Sequence, residues 1–373
     1  MVENYVFSTL LEGWDTFCGN IISDETGSIE GKNKSKVQQG VKRLMSMMNP
    51  RERVLMALRL EQPDRVPFVE GGVDPPIQRA LVGQETFLPE EVNEIMGLDN
   101  LIVELLPPIF GEYEVHDGIN FLARPLLRTR ADLGQMALPD PEDPAFYAAG
   151  EELIKRNQGR YAVVAKMRMG ASPMLMSMGL EAFSYALADD PGLVETVLGR
   201  YADWSIAIIR HLRDLGVDLV WTFDDMAYKT GPMFSPYIFR ETFMPHLQRM
   251  ARAIKGEGLP WIFHSDGNLM PILDDLLTLG FDGLHPLEPG PMDIEAVKRD
   301  YGERLCLIGN IDLHYTLTQG RPEEVEAEVK QRIETIGRGG GYMISSANSI
   351  TSYCKLENVW AMIEAIRKYA PYH

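Results

Sequence analysis

The chain has 373 residues, 45% of them hydrophobic, and its 54 acidic against 36 basic side chains give a formal net charge of −18. That excess argues against nucleic acid or an anionic membrane surface as a partner, since both would repel it. Cys18, Cys306 and Cys354 are too few and too far apart for a disulfide framework or a thiolate zinc knuckle. No stretch of 18 apolar residues or basic-then-apolar leader occurs either, so a soluble cytoplasmic enzyme is expected.

Val2, Tyr5, Val6, Leu10, Leu11, Trp14 and Phe17 fall at helical spacing, and 19–36 is polar and rich in Gly, Ser and Lys. Residues 1–47 therefore read as a helical extension and linker, suited to pack on the main domain or on a second subunit of a homodimer. Asn49-Pro50 starts a helix with Val54, Leu55, Leu58 and Leu60 on its apolar side.

From there a pattern repeats over 48–373: a short apolar run, a polar or Gly-rich end, then a helical stretch. The runs are Val66–Glu70, Leu101–Leu106, Tyr161–Met169, Asp218–Asp225, Leu259–Asp266, Gly283–Glu288, Leu305–Asp312 and Gly341–Asn348. Alternating strands and helices predict parallel strands with right-handed crossovers, and eight of them favour an α/β fold of the (β/α)8 TIM-barrel type. The surplus length falls in the amino-terminal extension and in Phe110–Asp143, which reads as a hairpin insertion near the barrel mouth.

In such a barrel the ligand site lies at the carboxyl ends of the strands. Collected there are Glu70, Glu104, Lys166, Arg168, Asp224, Asp225, His264, Asp266, His285, Glu288, Asn310, Asp312 and Asn348. Seven are carboxylates, and carboxylates held close together need a cation or shared protons to offset their repulsion. The sharpest of these ends is Trp261-Ile262-Phe263 stopping at His264-Ser265-Asp266, where an imidazole and a carboxylate two residues apart suit a metal or an acid/base pair. Of Asp224 and Asp225 only one can look into the barrel, because successive strand side chains face opposite ways. The absence of G-x-G-x-x-G after a strand, of a P-loop and of G-x-S-x-G argues against nicotinamide hydride transfer, P-loop phosphoryl transfer and serine hydrolysis.

Five ordered stretches resemble the uroporphyrinogen decarboxylase superfamily, and within it the cobalamin-dependent methyltransferases. They are MNPRERVLMALRLEQPDRVPF (48–68), SPYIFRETFMPHLQRM (235–250), HSDGNLMPILDDLLTLGFDGLHPLEP (264–289), DIEAVKRDYGERLCLIGNID (293–312) and GGYMISSANSITSYCKLENVWAMIEAI (340–366). The resemblance implies a (β/α)8 barrel, which agrees with the strand count. It also carries departures. Where true porphyrinogen decarboxylases have an arginine-rich segment that holds substrate carboxylates, this chain reads Phe68-Val69-Glu70-Gly71-Gly72, and their essential aspartate falls on Glu104. Where the thiol-methylating branch binds zinc through His-x-Cys and a later Cys, this chain has His264, Asp266 and, near the last place, Asn348.

Replacing thiolates with oxygen ligands leaves zinc a harder Lewis acid, suited to an oxygen substrate. The resemblance and this replacement together imply methyl transfer from a methoxylated, aromatic substrate to the cobalamin Co(I) of a separate corrinoid protein. His264, Asp266 and Glu288 are the expected zinc ligands. Asp224, Asp225, Tyr228, Glu104 and His285 are the candidates for catalysis, and Glu70, Lys166, Arg168, Asn310 and Asn348 those for substrate binding. Two other readings stay open: a metal-independent decarboxylase or lyase of a small carboxylate, and a non-enzymatic corrinoid- or tetrapyrrole-binding protein.

Overall fold

The computed structural model describes residues 48–116 and 119–372. The helix and linker expected over 1–47 lie outside the described residues. In chain order the strands are β1 (Asn100–Glu104), the hairpin β2 (Gly111–His116) and β3 (Ile119–Pro125), β4 (Ala162–Met167), β5 (Leu219–Phe223), the short hairpin β6 (Ala227–Tyr228) and β7 (Gly231–Pro232), β8 (Trp261–His264), β9 (Gly283–His285), β10 (Cys306–Ile308) and β11 (Tyr342–Met343). The main sheet runs β1-β4-β5-β8-β9-β10-β11 with every neighbouring pair parallel. The β2–β3 hairpin occupies the expected insertion.

The segment 66–70 closes the sheet into a (β/α)8 barrel. On one side Val69 N–H donates to the Ile344 carbonyl and Ile344 N–H to that of Pro67. On the other side, side chains replace part of the ladder: Phe68 N–H donates to Asp99 Oδ2 at 2.8 Å, Glu70 N–H to Asn100 Oδ1 at 3.1 Å, and Asn100 Nδ2 to the Glu70 carbonyl at 3.0 Å. Pro67 has no N–H to give, which shortens the regular pairing of this segment to isolated bridges.

Strand alternation divides the core. Val69, Val164, Leu219, Trp221, Ile262, Cys306, Ile308 and Met343 fill the barrel interior, with Val54, Ala57 and Leu58 of the helix Pro50–Leu58 plugging its lower end. Asn49 caps that helix by accepting the Glu52 N–H at 2.8 Å, and Pro50 takes the first helical position. Gly283 makes room for the plug, since a Cβ there would stand 2.7 Å from Ile308 and 3.2 Å from Leu58. Opposite-facing strand residues pack under the surrounding helices in a second, larger cluster. Among the described residues no helix is long and apolar enough to cross a membrane.

Asp99 ties the closing seam to the plug. Its Oδ1 accepts from Arg53 at 2.6 Å and from Arg65 at 2.9 Å, while Oδ2 holds the Phe68 N–H. Both Arg53 and Asp99 are buried; Arg53 is also held by Asp64 at 2.6 Å, so loss of Asp99 leaves chiefly Arg65 and the Phe68 N–H without their partner in low dielectric. Asp99→Ala is therefore expected to lower stability by about 3–5 kcal/mol in urea or guanidinium unfolding; a loss below about 1 kcal/mol, typical of a surface pair, would show the network to be dispensable.

Candidate metal centre

The register of the parallel ladder builds the site. Phe223 on β5 pairs with His264 on β8, and His264 with His285 on β9, so three rings form one row across the barrel. Neighbouring strands lie about 4.8 Å apart, and the ring centroids follow: 4.5 Å between Phe223 and His264, stacked, and 4.8 Å between His264 and His285. The two imidazoles meet Nδ1 to Nδ1 at 2.6 Å. His285 is fully buried, and burial together with the neighbouring His264 holds it well below the ordinary imidazole range, hence neutral. With His264 donating from Nδ1 to the neutral His285, the His264 Nε2 lone pair would face the mouth, which is the form that a metal ligand needs.

Two carboxylates wait there. Asp225 and Asp266 each lie two residues beyond an inward-facing ring, Phe223 and His264, on the same parity. His264 Nε2 is 3.4 Å from Asp225 Oδ1 and 3.7 Å from Asp266 Oδ1. One ligand atom from each of the three residues lies within 4.8 Å of the other two. Asp266 Oδ2 accepts from Asn348 Nδ2 at 2.6 Å, but its Oδ1 is buried without a hydrogen bond. Burial, with Asp225 and Glu288 adding negative charge, pushes the Asp266 carboxyl up to about 6. Burial acts on Asp225 in the same sense, but the hydrogen bond and positive charge that His264 offers when both its nitrogens carry protons, with the Asp266 N–H, outweigh it and bring its pKa below the usual value; a metal on Nε2 would stand in for that proton. One imidazole nitrogen and two carboxylate oxygens converging around an unpartnered buried oxygen fit a divalent cation. Glu288 sits behind them, accepting the Gly267 N–H at 3.0 Å. Gly267 is obligatory, with φ +83° and a Cβ position 2.7 Å from the Ala227 and Tyr228 backbone.

A cavity of about 500 Å³ opens beside this centre, lined by Glu70, Gly71, Gly72, Ile102, Glu104 and Lys166 among others. Phe223 is the partition. Its far face stacks on His264, Lys166 Nζ lies 5.1 Å from its ring centre, and its edge would be 2.7 Å from a Cβ on Gly71. Glu104 and Lys166 are register partners across β1 and β4 and form an ion pair at 3.0 Å. Glu70 is fully buried, its oxygens held by the Ser346 N–H at 2.7 Å and hydroxyl at 2.8 Å, and burial pushes its pKa up to about 8.

The remaining candidates stand apart. Asp224 faces outward and is spent on the loop after β4, accepting the N–H groups of Met169 and, at 2.8 Å, Ser172. Arg168 directs Nη1 to Met176 Sδ at 3.4 Å and does not line the cavity. Asn310 is buried, donating to the Leu287 carbonyl. Tyr228 is 65% exposed on the β6 strand. Asp312 caps the turn after it through the His314 and Tyr315 N–H groups. The sequence reading did not single out Phe223 or Ser346; period-two counting back from Asp225 would have found Phe223, whereas no local signal marks Ser346.

A sequence profile of the uroporphyrinogen decarboxylase (URO-D) family matches residues 112–369. The chain belongs to the uroporphyrinogen decarboxylase family. It is 26% identical over 258 residues to the uroporphyrinogen decarboxylase of Methylococcus capsulatus, covering 66% of this chain and 71% of that one. It is 28% identical over 177 residues to the methylcobamide:CoM methyltransferase MtaA of Methanosarcina barkeri, covering 48% and 49%. Among solved structures a methyltransferase from Methanosarcina mazei superposes with a TM-score of 0.68 at 22% identity, over 86% of this chain and 99% of that one, which establishes the shared fold.

The Glu70 carboxyl keeps its proton in the folded chain between about 4.5, where the unfolded chain releases it, and about 8. The folded state binds the extra proton in that window, so stability is full below it and falls as pH rises through it. Glu70→Gln, which keeps the shape and both contacts, is expected to gain on the wild type by about 1.4 kcal/mol per pH unit across that window in denaturant titrations. A difference independent of pH would mean that Glu70 is ionised in the fold.

Proposed function

We propose that this protein is a methyltransferase that moves a methyl group from a methoxylated, aromatic substrate to the Co(I) corrinoid of a separate partner protein. The observation that carries this reading is the convergence of His264 Nε2, Asp225 and Asp266 around an unpartnered buried oxygen, one aromatic ring away from a cavity of about 500 Å³. A volume in this range suits a single substituted ring. Kinship with a cobamide methyltransferase supports the reaction class.

His264, Asp225 and Asp266 would hold zinc, with Glu288 adding negative charge at Asp266. Bound by nitrogen and oxygen alone, zinc supplies a hard Lewis acid that makes an ether oxygen a better leaving group. The chain's own residues do the rest. His285 fixes the tautomer that turns the His264 lone pair to the mouth, and Asn348 orients the Asp266 carboxylate. Phe223 keeps the bound ring off the buried imidazoles, and Gly71 lets Phe223 come that close. The O–CH3 bond would break with its electron pair left on the ether oxygen, which then takes a proton from solvent, while the pair for the new bond to the methyl carbon would come from the acceptor's Co(I).

The absence of arginines at 70–72 weighs against a polycarboxylate porphyrinogen substrate. A decarboxylase or lyase of a small carboxylate is the second reading, favoured by the longer alignment with a porphyrinogen decarboxylase; carbon dioxide release without any corrinoid would identify it.

The test is demethylation of a panel of methoxyarenes by the purified protein with reduced corrinoid protein supplied. Product phenol is expected from the wild type, and a loss of about a hundredfold or more from His264→Ala or Asp266→Ala. Equal rates in wild type and both variants would contradict the assignment of the metal centre, and no turnover of any donor would contradict methyl transfer.

A further inference from the structure

We propose that the cavity beside the metal centre admits uncharged or cationic methoxylated rings and turns away carboxylates. This rests on the methyl-transfer reading for the word "methoxylated" and on the cavity's own charges for the rest.

Four ionisable side chains line the space: Glu70, which keeps its proton at pH 7, the carboxylates Asp74 and Glu104, and Lys166, the one cation among the lining residues described. Lys166 is already engaged. The β1–β4 register sets it beside Glu104, with Nζ 3.0 Å from Oε1, and it rests over the Phe223 ring. An entering carboxylate would have to share the ammonium with Glu104 and stand close to a second carboxylate, a like-charge contact that costs binding. The positive amino end of the helix Pro75–Val82 offers no relief, because Asp74 occupies its cap position and is itself held by the Ser352 N–H at 2.7 Å. Glu70 has both oxygens on Ser346 and contributes no positive charge.

Among the described residues no other cation lines the cavity: Arg168 lies outside the lining, with its Nη1 on a thioether and its charge felt by Asp224 and Asp225. A divalent metal at the centre brings two positive charges that Asp225 and Asp266 offset between them, with Glu288 close behind. The floor is backbone and small groups at Gly71 and Gly72, where a Cβ would meet Phe223 at 2.7 Å or Ser349 at 3.4 Å. At this strand end stand Glu70 and two glycines, with no basic side chain among them. The chemistry that fits is an aryl ether bearing a hydroxyl, hydroxymethyl or amino group.

Three isosteric probes separate the cases: 4-methoxybenzylamine, 4-methoxybenzyl alcohol and 4-methoxybenzoate, titrated calorimetrically into the full-length protein at pH 7 and low salt. The amine and the alcohol are expected to bind about tenfold more tightly than the benzoate. In Glu104→Gln, which frees Lys166 at an exposed position, the benzoate should gain and the amine lose, closing the gap. Benzoate binding as tight as the alcohol's in the wild type, an order unchanged in Glu104→Gln, or no binding by any probe would each overturn the proposal. Turnover is read separately with corrinoid protein. The expected binding order without methyl transfer sinks the transfer reading and leaves this one standing, whereas faster demethylation of the benzoate than of the alcohol sinks this one alone.

Discussion

A side chain on a strand of a closed barrel has two directions open to it, into the axis or out under the helices, and the strand fixes which by strict alternation. Everything at the candidate site depends on that constraint. Leu219, Trp221 and Phe223 climb the inside of β5, and Asp225 continues the climb; Ile262, His264 and Asp266 do the same from β8. Because the two strands pair Phe223 with His264, the climbing residues arrive side by side at the mouth. Asp224, one residue out of phase, points the other way and becomes a loop anchor. A one-residue slip of β8 against β5 would turn His264 and Asp266 out under the helices and leave Asp225 alone at the mouth.

The same rule explains how much of the molecule could be read in advance. Apolar runs with polar ends announced the barrel, and the restriction on Asp224 and Asp225 followed from period two alone; which of the two faces inward needed the register. The regular strands are shorter than the runs: Tyr161–Met169 narrows to Ala162–Met167 and Asp218–Asp225 to Leu219–Phe223, because the end residues leave the ladder to hold loops. The β6–β7 hairpin went unread because it is two residues per strand, too short for any periodicity. The Nδ1 contact between His264 and His285 joins residues 21 apart and exists only through strand pairing, so no spacing in the sequence signals it. Val66–Glu70 was legible as a strand, but its closing rungs are made by Asp99 and Asn100 side chains, which local pattern does not disclose.

The chemistry of the centre follows from what buried carboxylates tolerate. Asp225 and Asp266 face each other across His264, and two such charges persist together only with a cation or a shared proton between them. Asp266 Oδ1, buried with no hydrogen bond and 3.7 Å from His264 Nε2, is the ligand atom this set would offer a metal cation. Oxygen and nitrogen donors, a neighbouring ring-sized cavity and a lining short of free positive charge are what the proposed function asks for: a Lewis-acid site turned toward an ether oxygen on a substrate that is not an acid.

X-ray absorption at the zinc edge of the purified protein reads the donor set directly. The account predicts a first shell of nitrogen and oxygen at about 2.0–2.1 Å with the scattering of a single imidazole and no sulfur near about 2.3 Å. A sulfur shell, two imidazoles on the metal, or a protein that takes up no zinc at all would contradict it.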